Sequence, residues 1–234
     1  QKNKIKIKFV EGCVDKGLKE EWAEKMWAKF EYFSGYGFNK SHAVSYSIIS
    51  FQCAWLFNYY PDCWMAAFLD KEPESRKEKA INIAKKFGFK LEPVNINKSS
   101  SVWDIGEDER TLIQPLTSIK GLGDKAIEQI IEHRPFNTVE ELLFSKEIVY
   151  SKLNKKALDV LIKAEAVDEL IDDRFRNQKH FWLSVADNRP KTKKKLAENI
   201  EEYKGTEDFT RDEYIETKTN ITGMFPLTLV VSDD

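Results

Sequence analysis

The sequence predicts a mainly α-helical chain with a small β insertion. Three observations carry that reading: apolar residues recur at helical spacing, Ser, Thr and Asn stand where helices need caps, and the segments that read as strands fall within 89–113. In residues 18–33, Leu18, Trp22, Met26 and Phe30 follow an i, i+4 rhythm with Ala23, Trp27 and Phe33 beside them, the broad apolar face of a core helix. Glycines at 35 and 37 end it, and Ser41 is a fair N-cap for a second helix to about Tyr59. Pro61 suits the first turn of a third helix through Leu69.

Ser75 and Glu78 have capping-box spacing for the next helix, with Ala80, Ile81, Ala84 and Phe87 on one face and Gly88 as its stop. Phe89–Val94, Val102–Ile105 and Arg110–Ile113 read as short strands. Thr138 with Glu141, Asn154, and Thr210 with Glu213 mark helix starts, and Asp172–Asp173 has the look of another. Lys191–Lys195 precedes a helical stretch to Tyr203 that stops at Gly205. The shift towards charge makes residue 190 a boundary.

Composition excludes several classes. With 234 residues, 41% hydrophobic and only 10 Gly and 7 Pro, the chain is neither collagenous nor of low complexity. Its apolar runs, such as Trp64–Leu69 and Leu227–Val231, fall short of the roughly 18–20 residues of a membrane span, and the expectation is a protein without membrane contact. No secretory signal opens the sequence, and Cys13, Cys53 and Cys63 form no CxxC pair, so a reduced, cytoplasmic setting is expected. With His42, His133 and His180 scattered as well, no metal-binding residues are assigned. The net charge of −2 hides a basic first hundred residues and an acidic remainder, so any nucleic-acid binding must come from local geometry.

Two segments carry chemistry. In Gly37-Phe38-Asn39-Lys40-Ser41-His42-Ala43-Val44-Ser45-Tyr46, polar and basic groups crowd a helix N-terminus, where unsatisfied amides and the helix dipole attract an anion. Lys40 offers a point charge, Ser41 a hydroxyl and His42 a donor, and Tyr46 lies one turn further on the His42 face. A capped helix with a solvated Lys40 and half-buried His42 and Tyr46 satisfies the same spacing. Ile119 to Arg134 reads as a Gly-hydrophobic-Gly turn opening a helix, with amides near Gly121, Leu122, Gly123 and Asp124 facing a phosphate, and Lys120 and Lys125 adding charge. A Gly-rich packing corner is the alternative. On this reading both glycines are structural, so Gly121→Val and Gly123→Val should each distort the turn.

Phe33 to Leu69 is similar to the fingers region of C-family bacterial DNA polymerase III alpha subunits. Tyr36-Gly37-Phe38-Asn39-Lys40-Ser41-His42-Ala43, Tyr46, Gln52, Ala54, Leu56, Tyr60-Pro61 and Met65-Ala66-Ala67 carry the likeness. The resemblance implies that Asn39, Lys40, Ser41 and His42 meet the triphosphate of an incoming deoxynucleotide, with Tyr46 against the nascent base pair. Ile119–Ile131 resembles a helix-hairpin-helix motif, and Pro93-Val94-Asn95-Ile96-Asn97-Lys98-Ser99 the connection that precedes it in that family. Leu153–Asp168 resembles a second, degenerate hairpin unit, with Glu165 where the family usually has Gly and Val167 where it has Phe; Lys152, Lys155 and Lys156 stand at its helix start, where they meet DNA phosphates or form a solvated helix end, with Lys155 and Lys156 assigned to DNA binding. Gln178-Lys179-His180-Phe181-Trp182 loosely matches a sliding-clamp-binding pentapeptide, and Pro226-Leu227 a segment leading to the next domain.

The resemblance divides the chain into a distal fingers region (1–110), a tandem helix-hairpin-helix region (111–190) and a helical tail (191–234). It implies a fragment of a replicative DNA-directed DNA polymerase that grips dNTP and primer-template duplex. No clustered aspartates on strands appear, so no catalytic residue is assigned; Mg2+ is expected in a palm outside this chain, which alone should be inactive. A non-catalytic, stand-alone DNA-binding or assembly module is the alternative.

Overall fold

The computed structural model describes residues 2–36 and 39–222. It divides into two compact units, Gln1–Tyr59 and Tyr60–Asp234. Gly37, Phe38, Pro226-Leu227 and Asp233-Asp234 lie outside the described residues.

The first unit holds α1 (Lys2–Asp15), α2 (Glu20–Tyr36) and α3 (Lys40–Tyr59). Helix α1 is not foretold by the sequence pattern, because its alternating lysines, from Lys2 to Lys8, hide the apolar side. Gly17, at φ +82°, makes the turn into α2, with its amide on the Val14 carbonyl (2.8 Å) and that of Leu18 on the Cys13 carbonyl (3.0 Å). Phe9 then meets Trp27 and Phe30, each at 5.6 Å between centroids, across the fully buried Ala23. Trp22 and Phe30 remain 46% and 49% exposed, so α2 is no core helix: α1 covers its Ala23 side and leaves these residues exposed. The cap of α3 also differs from expectation. Asn39 accepts the Ser41 amide (3.1 Å) and hydroxyl (2.6 Å), so Asn39 takes the capping role given to Ser41.

In the second unit, α4 (Pro61–Lys71) buries Met65, Ala66 and Leu69 and starts on Pro61. Next, α5 (Lys77–Lys86) buries Ala80, Ile81 and Ala84, and Gly88 at φ +81° ends it. The Ser75–Glu78 capping box does not form, because a 3-10 turn at Glu74–Arg76 occupies those positions and α5 starts without a side-chain cap. Strands β1 (Lys90–Glu92), β2 (Asp104–Ile105) and β3 (Thr111–Ile113) make the small sheet in the order β1-β3-β2, with β1 parallel and β2 antiparallel to β3.

The rest is helical: α6 (Asp124–His133), α7 (Val139–Phe144), α8 (Lys155–Lys163), α9 (Gln178–Trp182) continuing as a π-helical turn to Asp187, α10 (Lys193–Glu202) and α11 (Arg211–Thr222). Thr138 and Asn154 cap α7 and α8 through the amides of Glu141 (3.2 Å) and Ala157 (3.0 Å). Thr210 and Glu213 form a reciprocal capping box at α11. Asn177 caps α9, and Asp172 instead holds Arg174 in a turn. One core, with Leu116, Ile130, Leu142, Leu158 and Phe181 at its centre, joins α6 through α11. Asn97 stitches the connection to that core by exchanging two hydrogen bonds with the Phe136 backbone (2.7 and 2.8 Å), while the Ile96 amide reaches the Ala166 carbonyl (2.7 Å).

Phe181 is completely buried, and the Trp182 indole N–H donates to Asp159 (2.6 Å). His180, also buried, accepts the Arg176 amide on Nδ1 and donates from Nε2 to the Ile200 carbonyl. The Gln178–Trp182 pentapeptide is therefore a core helix, with Phe181 at its buried side. Among the described residues no helix is long and apolar enough to cross a membrane.

Arg174 ties α7 to the loop before α9, donating to Glu140 (2.6 Å) and Asp172 (2.7 Å). The guanidinium hydrogen bonds hold both carboxyls below their ordinary range. Carboxyls depressed on folding stabilise the protein above their unfolded pKa values and lose that contribution as pH falls through the folded ones. With Arg174 partly exposed, screening leaves about 1 kcal/mol. Arg174→Met should lower stability by that amount at pH 7, with the gap to wild type closing below about pH 4; urea unfolding at the two pH values measures it.

Candidate nucleic-acid interface

The hairpin before α6 is built from one positive-φ glycine and one extended glycine. Gly121 lies at φ +90°, a conformation that favours glycine, and a Cβ there would meet Lys156 Cε and Val160 Cγ1, each at 3.5 Å. Gly123 has ordinary extended backbone (φ −82°, ψ 152°) and nothing within 4 Å of a built Cβ. The expectation that Gly123→Val distorts the turn is thus corrected: only Gly121 is conformationally required. Gly123 is the N-cap of α6, and its carbonyl accepts from the amides of Ala126 (2.9 Å) and Ile127 (3.2 Å).

No side chain caps α6. The amides of Asp124 and Lys125 lie in its first turn, where no intrahelical acceptor exists, and no other acceptor takes them among the described residues. By contrast, α8 is already capped by Asn154. The open α6 N-terminus and the α8 start line one groove, in which Gly121, Gly123 and Lys125 face Ser151, Lys152 and Lys156. Among the described residues none of these three lysines is in an ion pair. Ser151 and Lys152 join the groove from the turn before the α8 cap; Lys152 is among the lysines the sequence places there, and Ser151 is not.

Other residues assigned to this surface do different work. Leu122 is buried with Ala126, Ile127 and Ile130, so its side chain serves the core. Asp124 places a carboxylate in the first turn, which favours the helix dipole but repels a phosphate, leaving only its amide for an anion. Lys120 points to Glu74 (4.0 Å), and its amide donates to the Ile221 carbonyl (2.9 Å). Lys155 is paired with Asp187 (2.9 Å).

At the start of α3, Asn39, Lys40, Ser41, His42 and Tyr46 are all exposed. His42 and Tyr46 stand side by side, 4.2 Å between centroids and 39° apart in plane. Lys40 lies on another face, in a shallow groove with Val44, Ser47, Ile48 and Phe51. The Ser41 hydroxyl is already donated to Asn39. Val44, Ile48, Ile49, Phe51 and Tyr59 are all at least half exposed, and α3 buries no residue. Among the described residues, no group of three His, Cys, Asp or Glu side chains is placed to hold a metal ion.

A helix-hairpin-helix motif family matches residues 88–178, which include both the open hairpin and α8. The DNA polymerase III alpha subunit of Campylobacter jejuni is 38% identical over 173 residues, covering 71% of this chain and 14% of that protein. The Pseudomonas aeruginosa subunit is 33% identical over 187 residues (77% and 16%), and that of Helicobacter pylori strain 26695 is 36% identical over 177 residues (70% and 14%). The chain thus spans about one seventh of the length of the relatives it matches. These likenesses identify the chain as related to the bacterial DNA polymerase III alpha subunits, over a segment that includes a helix-hairpin-helix region.

Proposed function

We propose that this chain is the DNA-gripping and nucleotide-facing part of a replicative DNA polymerase of the DNA polymerase III alpha type. The observation that carries the reading is the uncapped N-terminus of α6, open beside Lys125, Lys152 and Lys156. Amides and lysines so placed bind a duplex backbone phosphate without reading base sequence. The capped α8 contributes cations to the same groove rather than a second amide cradle.

At the other site, Lys40 offers positive charge to a dNTP triphosphate at a helix end whose Ser41 amide Asn39 already takes, and the His42–Tyr46 pair, on another face of α3, offers a stacking surface for the nascent base pair. Phosphoryl transfer asks this of side chains, namely positioning and charge neutralisation. The palm, with its Mg2+, lies outside this chain on this reading. The uncovered apolar surface of α3 supports that, since such a surface calls for further protein against it.

Amide NMR of the 15N-labelled chain titrated with a short blunt duplex tests the DNA site. The Gly123, Asp124 and Lys125 amides should shift most; shifts confined to other surfaces, or none, would overturn the assignment. For the nucleotide site, Tyr46→Ala in the assembled polymerase should raise KM for dNTP about tenfold and leave duplex affinity unchanged. Unaltered incorporation kinetics would remove Tyr46 from the site.

A further inference from the structure

Helix α11 is tied to α9 at its start, where Glu213 pairs with Lys179 (3.7 Å), and two further ties lie nearer the hairpin. The Ile221 carbonyl accepts the Lys120 amide (2.9 Å), immediately before the positive-φ Gly121, and the Ile221 side chain joins the apolar core that contains Leu122 and Ile130. One turn earlier on α11, Lys218 pairs with Glu165, 53 residues away in sequence, and reaches the Tyr214 hydroxyl (3.3 Å). Glu165 sits at φ +61°. It closes α8 in a Schellman arrangement, its amide on the Ile162 carbonyl (2.9 Å) and that of Ala166 on the Leu161 carbonyl (3.0 Å). Glycine takes that position most readily. A glutamate there carries backbone strain, and its carboxylate holds Lys218.

The geometry points to α11 as a strap that positions the hairpin: the Glu165–Lys218 pair holds the helix against the α8 corner, and the Ile221 carbonyl thereby pins the turn at Lys120. Lys218 and Ile221 are positioning residues, since the strap acts on the turn whether or not DNA is bound.

Hydrogen exchange of the whole chain without DNA is the test. In Lys218→Met the amides of Lys120 and Leu122 should exchange about fivefold faster, while core amides such as Ile130 stay as in wild type, and Lys218→Arg should restore protection. Glu165→Gly relieves the left-handed strain and leaves the α8 corner at least as stable, so the same loss of protection at Lys120 and Leu122 reports the missing strap alone. Unchanged exchange at both amides in Glu165→Gly would overturn the proposal, even if Lys218→Met failed to fold. In duplex titrations the two variants should bind more weakly with an unchanged salt slope, because no phosphate-binding group is removed. Absence of duplex binding by wild type would count against the DNA-gripping function, and the exchange result would still decide the strap.

Discussion

Gly121→Val should destabilise the second unit by about 2–3 kcal/mol and weaken duplex binding more than tenfold. Valine is poorly suited to φ +90° because its branched Cβ crowds the backbone there, and the built Cβ already stands 3.5 Å from Val160, a residue only 7% exposed. A Cβ at 3.5 Å from Lys156 and Val160 makes ordinary van der Waals contact, so the cost comes chiefly from the backbone conformation. Gly123 should behave in the opposite way. Its backbone is extended and its surroundings are empty, so Gly123→Asp can supply the side-chain cap that α6 lacks and raise stability by about 1 kcal/mol. The same carboxylate would occupy the amides that a phosphate needs, and duplex binding should be abolished. Thermal unfolding and duplex titration on the two variants give the comparison. An unchanged Tm in Gly121→Val, or retained binding in Gly123→Asp, would contradict the roles assigned to the two glycines.

Replacing Lys125, Lys152 and Lys156 together with glutamine should cost about a hundredfold in duplex affinity at low salt and reduce the magnitude of the salt slope by about 3, roughly one for each phosphate no longer neutralised. The fold should survive, because among the described residues none of the three is in an ion pair. Lys155→Gln is the internal comparison: its ammonium is held by Asp187 at 2.9 Å, so its removal should change affinity little. A lysine on the groove and its neighbour in sequence thus differ in expected effect because one is already neutralised. If Lys155→Gln weakened binding as much as the triple replacement, general surface charge rather than the groove would be holding DNA.

Much of this is readable in the sequence where the signal is local. Thr138, Asn154 and Thr210 cap the helices that their spacing foretells, because a cap depends on three or four adjacent residues. The Gly-x-Gly turn and its inward Ala126, Ile127 and Ile130 are legible for the same reason. Local patterns fail where a distant segment decides the outcome. Nothing near Leu18 and Trp22 reveals that α1 packs on the Ala23 side of α2 and leaves that apolar edge exposed. The Ser75–Glu78 spacing looks like a cap, but Pro73 opens a 3-10 turn there. The two glycines of the hairpin are alike in sequence, and only backbone dihedrals separate the one that bends the chain from the one that leaves the helix end open. Glu165 in a glycine position signals a loose corner; its partner Lys218 lies on a helix that the local pattern could not place against it.

On this reading the α6 hairpin and its lysines hold duplex DNA by its phosphates. Fluorescence anisotropy of the chain with a labelled blunt duplex and a primer-template of equal length, across a salt series of roughly 50–300 mM, tests it most directly. Binding should weaken with a log-log slope of about −3 and with equal slopes for the two substrates, as interactions with the backbone alone require. A folded chain that bound neither substrate, or bound them with no dependence on salt, would contradict it.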